Sequence, residues 1–129
     1  MPEQPTDLEL RILKVLWQDA PMRVREIRQK LADGGHDIAH TSVITVLNIM
    51  VDKGFLTRTR VKNAFTFEPC VNQDEVSSQF VGDLVNRIFD GSASAVMANL
   101  LRSSEVSPDD LKEMRRLLNR LSRERKEKE

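Results

Sequence analysis

One stretch constrains the fold more than any other: a candidate amphipathic helix that ends at a glycine and leads into a basic hairpin. It spans residues 39–62, with the sequence AHTSVITVLNIMVDKGFLTRTRVK. At about 100° per residue, one helix face carries the apolar side chains Val43, Val46, Leu47 and Met50. The opposite face carries the polar residues Thr41, Thr45, Asn48 and Asp52. Such a helix packs on a domain with one face and offers hydrogen-bonding side chains on the other.

Basic side chains alternate along the hairpin that follows this helix. They are Arg58, Arg60 and Lys62, and no acidic residue lies between Lys53 and Phe67. Alternating residues of a strand project to one face, where these cations can contact phosphate groups. Because Thr and Asn can reach base edges in a major groove, the stretch predicts a DNA-binding winged helix-turn-helix. The predicted DNA contacts are His40, Thr41, Ser42, Ile44, Thr45, Asn48, Arg58, Arg60 and Lys62.

Two shorter helices precede this recognition helix. Thr6 and Glu9 have the spacing of a capping box, which predicts the start of the first helix. An apolar repeat over residues 24–31 predicts a second helix, ended by the glycine pair at 34–35. Trp17 lies on the first helix and reads as a core residue.

Two strands are predicted after the recognition helix. They cover residues 56–61 and 65–67 and are joined by a turn in which Asn63 takes a positive φ. The order of three helices and two strands indicates a small winged domain over residues 1–70.

The remaining residues, 71–129, predict three further helices. A capping box at residues 72–75 begins the first, which we expect to continue to about Asp90. A short helix is expected over 93–102, and Ser107 followed by proline marks the start of the last. The charged tail, residues 123–129, is expected to fray.

These C-terminal helices carry apolar stripes but no self-sufficient core. We therefore predict a dimerisation segment that packs against a second copy of the chain, with the last helix using a/d heptad spacing. The predicted dimer contacts are Val85, Ile88, Phe89, Met97, Leu101, Leu111, Met114, Leu118 and Leu121. The expected fold is mainly α with a small β-hairpin wing, followed by a helical dimerisation segment.

The composition disfavours several functional classes. No apolar run approaches about 18 residues, and the N-terminus lacks the features of a secretory signal, which predicts a cytoplasmic protein without membrane insertion. A Gly-rich phosphate loop and an HExxH motif are absent, so we predict neither an enzyme nor a cofactor. The 20 basic and 20 acidic residues cancel, so affinity for DNA would depend on dimerisation.

Titratable residues outside the predicted interface are assigned minor roles. Cys70 is the single cysteine, which excludes an internal disulfide and a cysteine-based zinc site. We expect it to be a small, partly buried residue, with a redox-sensing thiol as the alternative. His36, Asp37 and His40 could together ligate a metal, but the glycines at 34–35 disfavour the required helix.

With these motifs placed, the chain resembles the penicillinase and methicillin-resistance repressor family. The N-terminal segments that carry the resemblance are TDLELRILKVLW, PMRVREIRQKLA, AHTSVITVLNIMVDKGFL and RTRVKNAFTFEP. The C-terminal segments are LVNRIFDGSASAVMANLL and SPDDLKEMRRLL. The likeness thus covers nearly the whole chain and keeps the order of its parts.

The resemblance implies a homodimeric transcriptional repressor on a palindromic double-stranded DNA operator. Family members linked to β-lactam resistance are inactivated by cleavage in the C-terminal segment, triggered through a membrane sensor metalloprotease. The corresponding bond here joins Asn99 and Leu100. The family often has Phe after this Asn, so Leu100 is a departure from the sequence that the protease would recognise.

A second departure lies late in the recognition helix. Relatives commonly have Lys or Arg there, whereas this chain has Asn48, Ile49, Val51 and Asp52. Fewer cations predict weaker or more salt-sensitive operator binding, or a different operator. The C-terminal cysteine cluster of the copper-sensing branch is absent, which excludes that mode.

The same residues allow plainer interpretations. The polar face of the recognition helix could simply be solvated, His40 could be an exposed histidine, and Ile44 could pack under the wing instead of touching a thymine methyl. The basic hairpin could guard an edge strand against aggregation. A protein-interaction module without specific DNA binding is the main alternative function, and a ligand-sensing regulator is another.

Overall fold

The computed structural model describes residues 4–103 and 105–128. Its elements, in chain order, are helix α1 (Asp7–Gln18), strand β1 (Met22–Arg23), helices α2 (Val24–Asp33) and α3 (His40–Asp52), strands β2 (Leu56–Val61) and β3 (Ala64–Pro69), and helices α4 (Gln73–Arg87), α5 (Ala93–Arg102) and α6 (Pro108–Glu127). The predicted class, mainly α with a small β-hairpin, is confirmed. The chain divides into two compact units, residues 1–81 and 82–129, while the functional boundary after residue 70 stays a prediction.

The sheet of the first unit has three antiparallel strands in the order β1-β3-β2. Met22 of β1 pairs with Phe67, which on its other side pairs with Arg58 of β2. Only two strands were predicted from the sequence. The third was missed because two residues are too short for an alternation pattern, and β1 is defined by its partner in β3.

The core of this unit lies between the first three helices and the sheet. It contains Ile12, Leu13, Leu16, Met22, Ile27, Leu31, Val43, Leu47, Met50, Phe55, Leu56 and Phe67. Trp17 packs against this core as predicted, and its Nε1–H donates a hydrogen bond of 2.8 Å to the carbonyl oxygen of Val71. Burial of the apolar face of α3 leaves its polar face toward solvent.

A buried carboxylate links the start of α1 to the end of α3. Glu9 completes the predicted capping box by accepting from the backbone N–H of Thr6 at 2.8 Å. The Nζ atom of Lys53 lies 3.1 Å from both Glu9 carboxylate oxygens. Because Glu9 is only 3% exposed, this ion pair compensates a charge that would otherwise be costly to bury.

The end of α3 is a Schellman motif built on Gly54. The N–H of Phe55 donates to the carbonyl of Met50, and the N–H of Gly54 donates to that of Val51. Gly54 has a φ of +86°, where a side chain is unfavourable, although a Cβ would meet no atom within 4 Å. The motif turns the chain from α3 into β2 and so sets where the hairpin lies beside the helix.

We expect Gly54→Ala to lower the free energy of unfolding by about 1 kcal/mol, since alanine is strained at a positive φ. Urea denaturation would measure the loss. Gly34→Ala is the matched control, because Gly34 has a φ of −87° and a Cβ there makes only ordinary contacts. Equal losses in the two variants would show that the left-handed backbone is not the cause.

Four local predictions were wrong. The positive φ of the hairpin turn belongs to Lys62, at +57°, and not to Asn63, because the two-residue loop begins directly after the Val61–Ala64 pair. Cys70 is exposed instead of partly buried. Helix α4 ends at Arg87, before Asp90, which itself has a φ of +51°.

The fourth wrong prediction concerned the charged tail. Helix α6 continues through it to Glu127, where a frayed end was expected, while residue 129 lies outside the described part. Residues 1–3, which belong to the predicted non-signal N-terminus, also lie outside it.

The second unit contains the end of α4 together with α5 and α6. Ser92 caps α5 through the N–H of Ala95, and Ser107 and Asp110 form a capping box at α6, as the sequence predicted for its start. No residue of α5 or α6 is buried. Their apolar side chains therefore remain available for contact with another surface.

Candidate nucleic-acid interface

Helix α3 presents its predicted polar face to solvent. Val43, Leu47 and Met50 are buried on the inner side, and Val46 is half-buried. On the outer side Thr41, Thr45 and Asp52 are exposed and Asn48 is half-buried. Two further predicted contacts, His40 and Ser42, are exposed in the first turn.

An open groove of about 670 Å³ runs between α3, the start of α2 and the hairpin. Its apolar lining includes Ile44 and Phe65. Its polar lining includes Arg23, Arg25, Glu26, His40, Asn48 and Arg58. Because cations outnumber acids in this lining, the groove suits an anionic partner.

Arg58 connects the hairpin to α3. Its Nη1 donates a hydrogen bond of 2.8 Å to Oδ1 of Asn48, and its guanidinium lies 4.7 Å from the ring centroid of Phe65. Phe65 is 42% exposed, so this cation–π contact is on the surface. The arrangement orders a cation that a bare strand would leave mobile.

The other two predicted cations of the hairpin lie farther from α3. Arg60 stands at 6.0 Å from the same Phe65 ring, and its Nε donates to the carbonyl oxygen of Lys62 at 3.4 Å. Lys62 is in the turn and not in β2, so the strict alternation predicted from the sequence stops at Arg60. Arg58 and Arg60 nevertheless share one face of the strand.

Thr45 and Asn48 each make a hydrogen bond within the protein and keep other hydrogen-bonding groups for a partner. The Thr45 hydroxyl donates to the carbonyl oxygen of Thr41 at 3.0 Å, so its oxygen is left as an acceptor. Asn48 uses Oδ1 for Arg58, so its Nδ2 hydrogens are left as donors.

The loop before α3 is held by two arginines of the preceding helices. Arg28 of α2 donates from Nε to the carbonyl oxygen of Ile38 at 2.8 Å and lies 3.9 Å from Asp37. Arg11 of α1 contacts the ring of His36. These contacts position the N-terminus of α3.

Phe65 and Arg23 were missed as candidate interface residues. Phe65 looked like an ordinary strand residue, and only the register that pairs it with Arg60 brings it next to the two arginines. Arg23 belongs to the short β1 and therefore carried no pattern that the sequence could reveal.

In the second unit the predicted dimer contacts lie largely on exposed helix surfaces. Ile88, Leu101, Leu111, Leu118 and Leu121 are exposed. Val85, Phe89, Met97 and Met114 are half-buried. The predicted cleavage residues Asn99 and Leu100 are exposed within α5, and the carbonyl of Asn99 accepts from the N–H of Ser103 at 3.0 Å.

The described residues contain neither a candidate metal site nor a helix that could span a membrane. No cluster of three or more His, Cys, Asp or Glu residues there could hold a metal ion. None of the described helices is both long and apolar enough to cross a membrane.

Three helices followed by a hairpin, with one helix packed inward and presenting a polar face beside the hairpin, define a winged helix-turn-helix. The family model described as the penicillinase repressor matches residues 5–120. The chain therefore belongs to the penicillinase repressor family, a family of DNA-binding transcriptional repressors, which as a class are not enzymes.

Individual relatives agree with this assignment. The chain is 22% identical to a penicillinase repressor of Bacillus licheniformis over 124 residues, 96% of each chain. It is 28% identical to a transcriptional regulator BlaI of Mycobacterium tuberculosis over 117 residues, 89% of this chain and 83% of that protein. The solution structure of the DNA-binding domain of the repressor BlaI matches with a TM-score of 0.50 and 22% identity, over 58% of this chain and 93% of that domain. This last likeness supports the winged-helix fold.

Proposed function

We propose that this chain represses transcription by binding a specific DNA operator through α3 and the hairpin. The observation that carries the proposal is the exposed polar face of α3 beside Arg58 and Arg60, in a member of a repressor family. Such a helix fits a major groove, while cations on the neighbouring wing reach the backbone. The predicted contacts are His40, Thr41, Ser42, Ile44, Thr45, Asn48, Arg58, Arg60 and Lys62.

The repressor would act as a homodimer on a palindromic operator. The exposed apolar residues of α5 and α6 support this part, since a surface of this kind is stabilised by a second copy. A twofold dimer places its two recognition helices in half-sites about one helical turn apart. Occupancy of a promoter would then block transcription, and loss of the dimer would relieve it.

The most detailed part of the proposal is that proteolysis relieves repression. The bond between Asn99 and Leu100 would be cut after activation of a membrane sensor metalloprotease, in a cytoplasmic repressor without catalytic activity of its own. Because both residues lie inside α5, this helix would have to open locally before a protease could bind its backbone.

Fluorescence anisotropy with the DNA upstream of the chain's own gene tests the proposal. A scrambled duplex is titrated beside it at two salt concentrations. We expect tight, salt-dependent binding that favours the native duplex. Equally weak binding to both duplexes, or none at low salt, would contradict specific recognition of that DNA; the second result would favour a protein-interaction module.

Thr45→Ala separates base contacts from phosphate contacts in the same assay. We expect it to reduce discrimination between the duplexes by about 2 kcal/mol, since the Thr45 oxygen faces outward as an acceptor. Arg60→Ala is the control and should weaken both complexes alike, with a salt slope reduced by about one unit per half-site. A Thr45→Ala loss of equal size on both duplexes would remove Thr45 from the base contacts.

A further inference from the structure

We propose that Arg58 of the wing determines which base Asn48 of the recognition helix prefers. This inference rests on the proposed function, because it concerns how the same DNA interface distinguishes bases. Arg58 is then a specificity-determining residue as well as a cation near the DNA backbone. It acts by holding the Asn48 carboxamide in one orientation.

The orientation of the Asn48 carboxamide is dictated by the chemistry of its partner. A guanidinium group has only donors, so the atom that faces Arg58 Nη1 at 2.8 Å must be the carboxamide oxygen. The ring centroid of Phe65 lies 4.7 Å from the guanidinium carbon, and this cation–π contact also helps to hold Arg58 in place. Asn48 therefore turns Oδ1 toward the wing and keeps its two Nδ2 hydrogens for another partner.

This orientation favours guanine over adenine. Bidentate pairing of asparagine with adenine requires Oδ1 to accept from N6 while Nδ2 donates to N7. Arg58 competes for that oxygen. Guanine presents two acceptors in the major groove, N7 and O6, and these match the donors of Asn48 and the remaining donors of Arg58.

Arg60 provides a matched control within the same strand. It has the same charge, shares the strand face with Arg58 and approaches the same Phe65 ring, at 6.0 Å. Its hydrogen bond, however, goes to the carbonyl oxygen of Lys62 and not to α3. Replacement of either arginine by methionine removes one cation, but only Arg58→Met frees the Asn48 oxygen.

The experiment selects duplexes from a randomised 30-base-pair library with the full chain, as wild type, Arg58→Met and Arg60→Met. The best wild-type duplex and its guanine-to-adenine variants are then titrated with each protein. We expect wild type to prefer guanine at one position of each half-site by at least about ten-fold. Arg58→Met should reduce this preference below about two-fold or reverse it, whereas Arg60→Met should keep it and weaken all duplexes alike.

Two results would overturn the inference in different ways. If Arg58→Met and Arg60→Met select the same base at every position, Arg58 acts only as a phosphate-directed cation. If wild type enriches no duplex, the proposed sequence-specific function fails, and the inference fails with it. Thermal melting of all three proteins by circular dichroism verifies that they are folded.

A measurement on the free protein tests the contact itself. The side-chain amide signals of Asn48 are identified in the NMR spectrum by their loss in Asn48→Ala. We expect Arg58→Met to shift these signals and Arg60→Met to leave them in place. Unchanged signals in Arg58→Met would mean that the hydrogen bond does not form in solution and would also overturn the inference.

Discussion

Leu118→Asp is expected to turn the proposed dimer into a monomer, with a dissociation constant raised by at least about 1,000-fold, or about 4 kcal/mol. Leu118 is 47% exposed on α6 and belongs to the a/d stripe of Leu111, Met114, Leu118 and Leu121. In a twofold dimer the substitution places two carboxylates in the apolar interface, where burial of their charge and their mutual repulsion are both unfavourable. Light scattering and sedimentation over a range of concentrations would measure the change.

Asn119→Asp is the control for the added charge. It introduces the same single negative charge one residue further along α6, about 100° around the helix and away from the a/d stripe. This variant should remain dimeric and bind DNA as wild type does. A dimer that persists in Leu118→Asp would place the interface elsewhere on the chain.

The loss of dimer should also appear in DNA binding. If one winged helix makes too few contacts to hold an operator, Leu118→Asp should lose affinity for a two-half-site duplex and bind a single half-site as weakly as before. If Leu118→Asp also lost its affinity for the single half-site, the result would point to damage within the winged helix itself.

Lys53→Met is expected to lower the free energy of unfolding by about 3 kcal/mol, because it leaves the buried Glu9 carboxylate without its cation. Methionine keeps the unbranched side chain, so the loss reports the charge more than the packing. Glu9 continues to accept from the Thr6 N–H, which cannot compensate a full charge. Chemical denaturation at a fixed protein concentration would measure the difference.

A double variant separates the ion pair from other effects of residue 53. Glu9→Gln keeps an acceptor for the Thr6 N–H but removes the buried charge. Glu9→Gln combined with Lys53→Met should therefore be more stable than Lys53→Met alone by at least about 1 kcal/mol. If the two losses simply add, the pair contributes little, and the effect of Lys53→Met comes from its packing near Phe55.

The helices of the first unit could be anticipated because their signals are local. The capping box of Thr6 and Glu9, the apolar spacing of α3 and the glycine after Lys53 all act within a few residues of chain. The same is true of Ser107 at the start of α6. Each feature satisfies or terminates backbone hydrogen bonds nearby and so does not depend on the rest of the fold.

Errors arose where a distant partner or a fine backbone preference decides. Strand β1 exists because Met22 and Arg23 find β3 more than 40 residues later. The positive φ fell on Lys62 because the strand register leaves only two residues for the loop, although asparagine tolerates that conformation better. No pattern near Cys70 indicated that its side chain would be exposed.

The candidate interface likewise combines features that the sequence determines with contacts that only the tertiary structure determines. The order of residues along α3 and β2 already specified which side chains are polar or cationic and which helix face must be buried, since periodicity and charge are properties of the chain. The pairing of Arg58 with Asn48 and its stacking on Phe65 required the turn at Gly54 and the register of the hairpin. These contacts join residues ten and seven positions apart on different elements, so their geometry depends on how the helix and the sheet pack together.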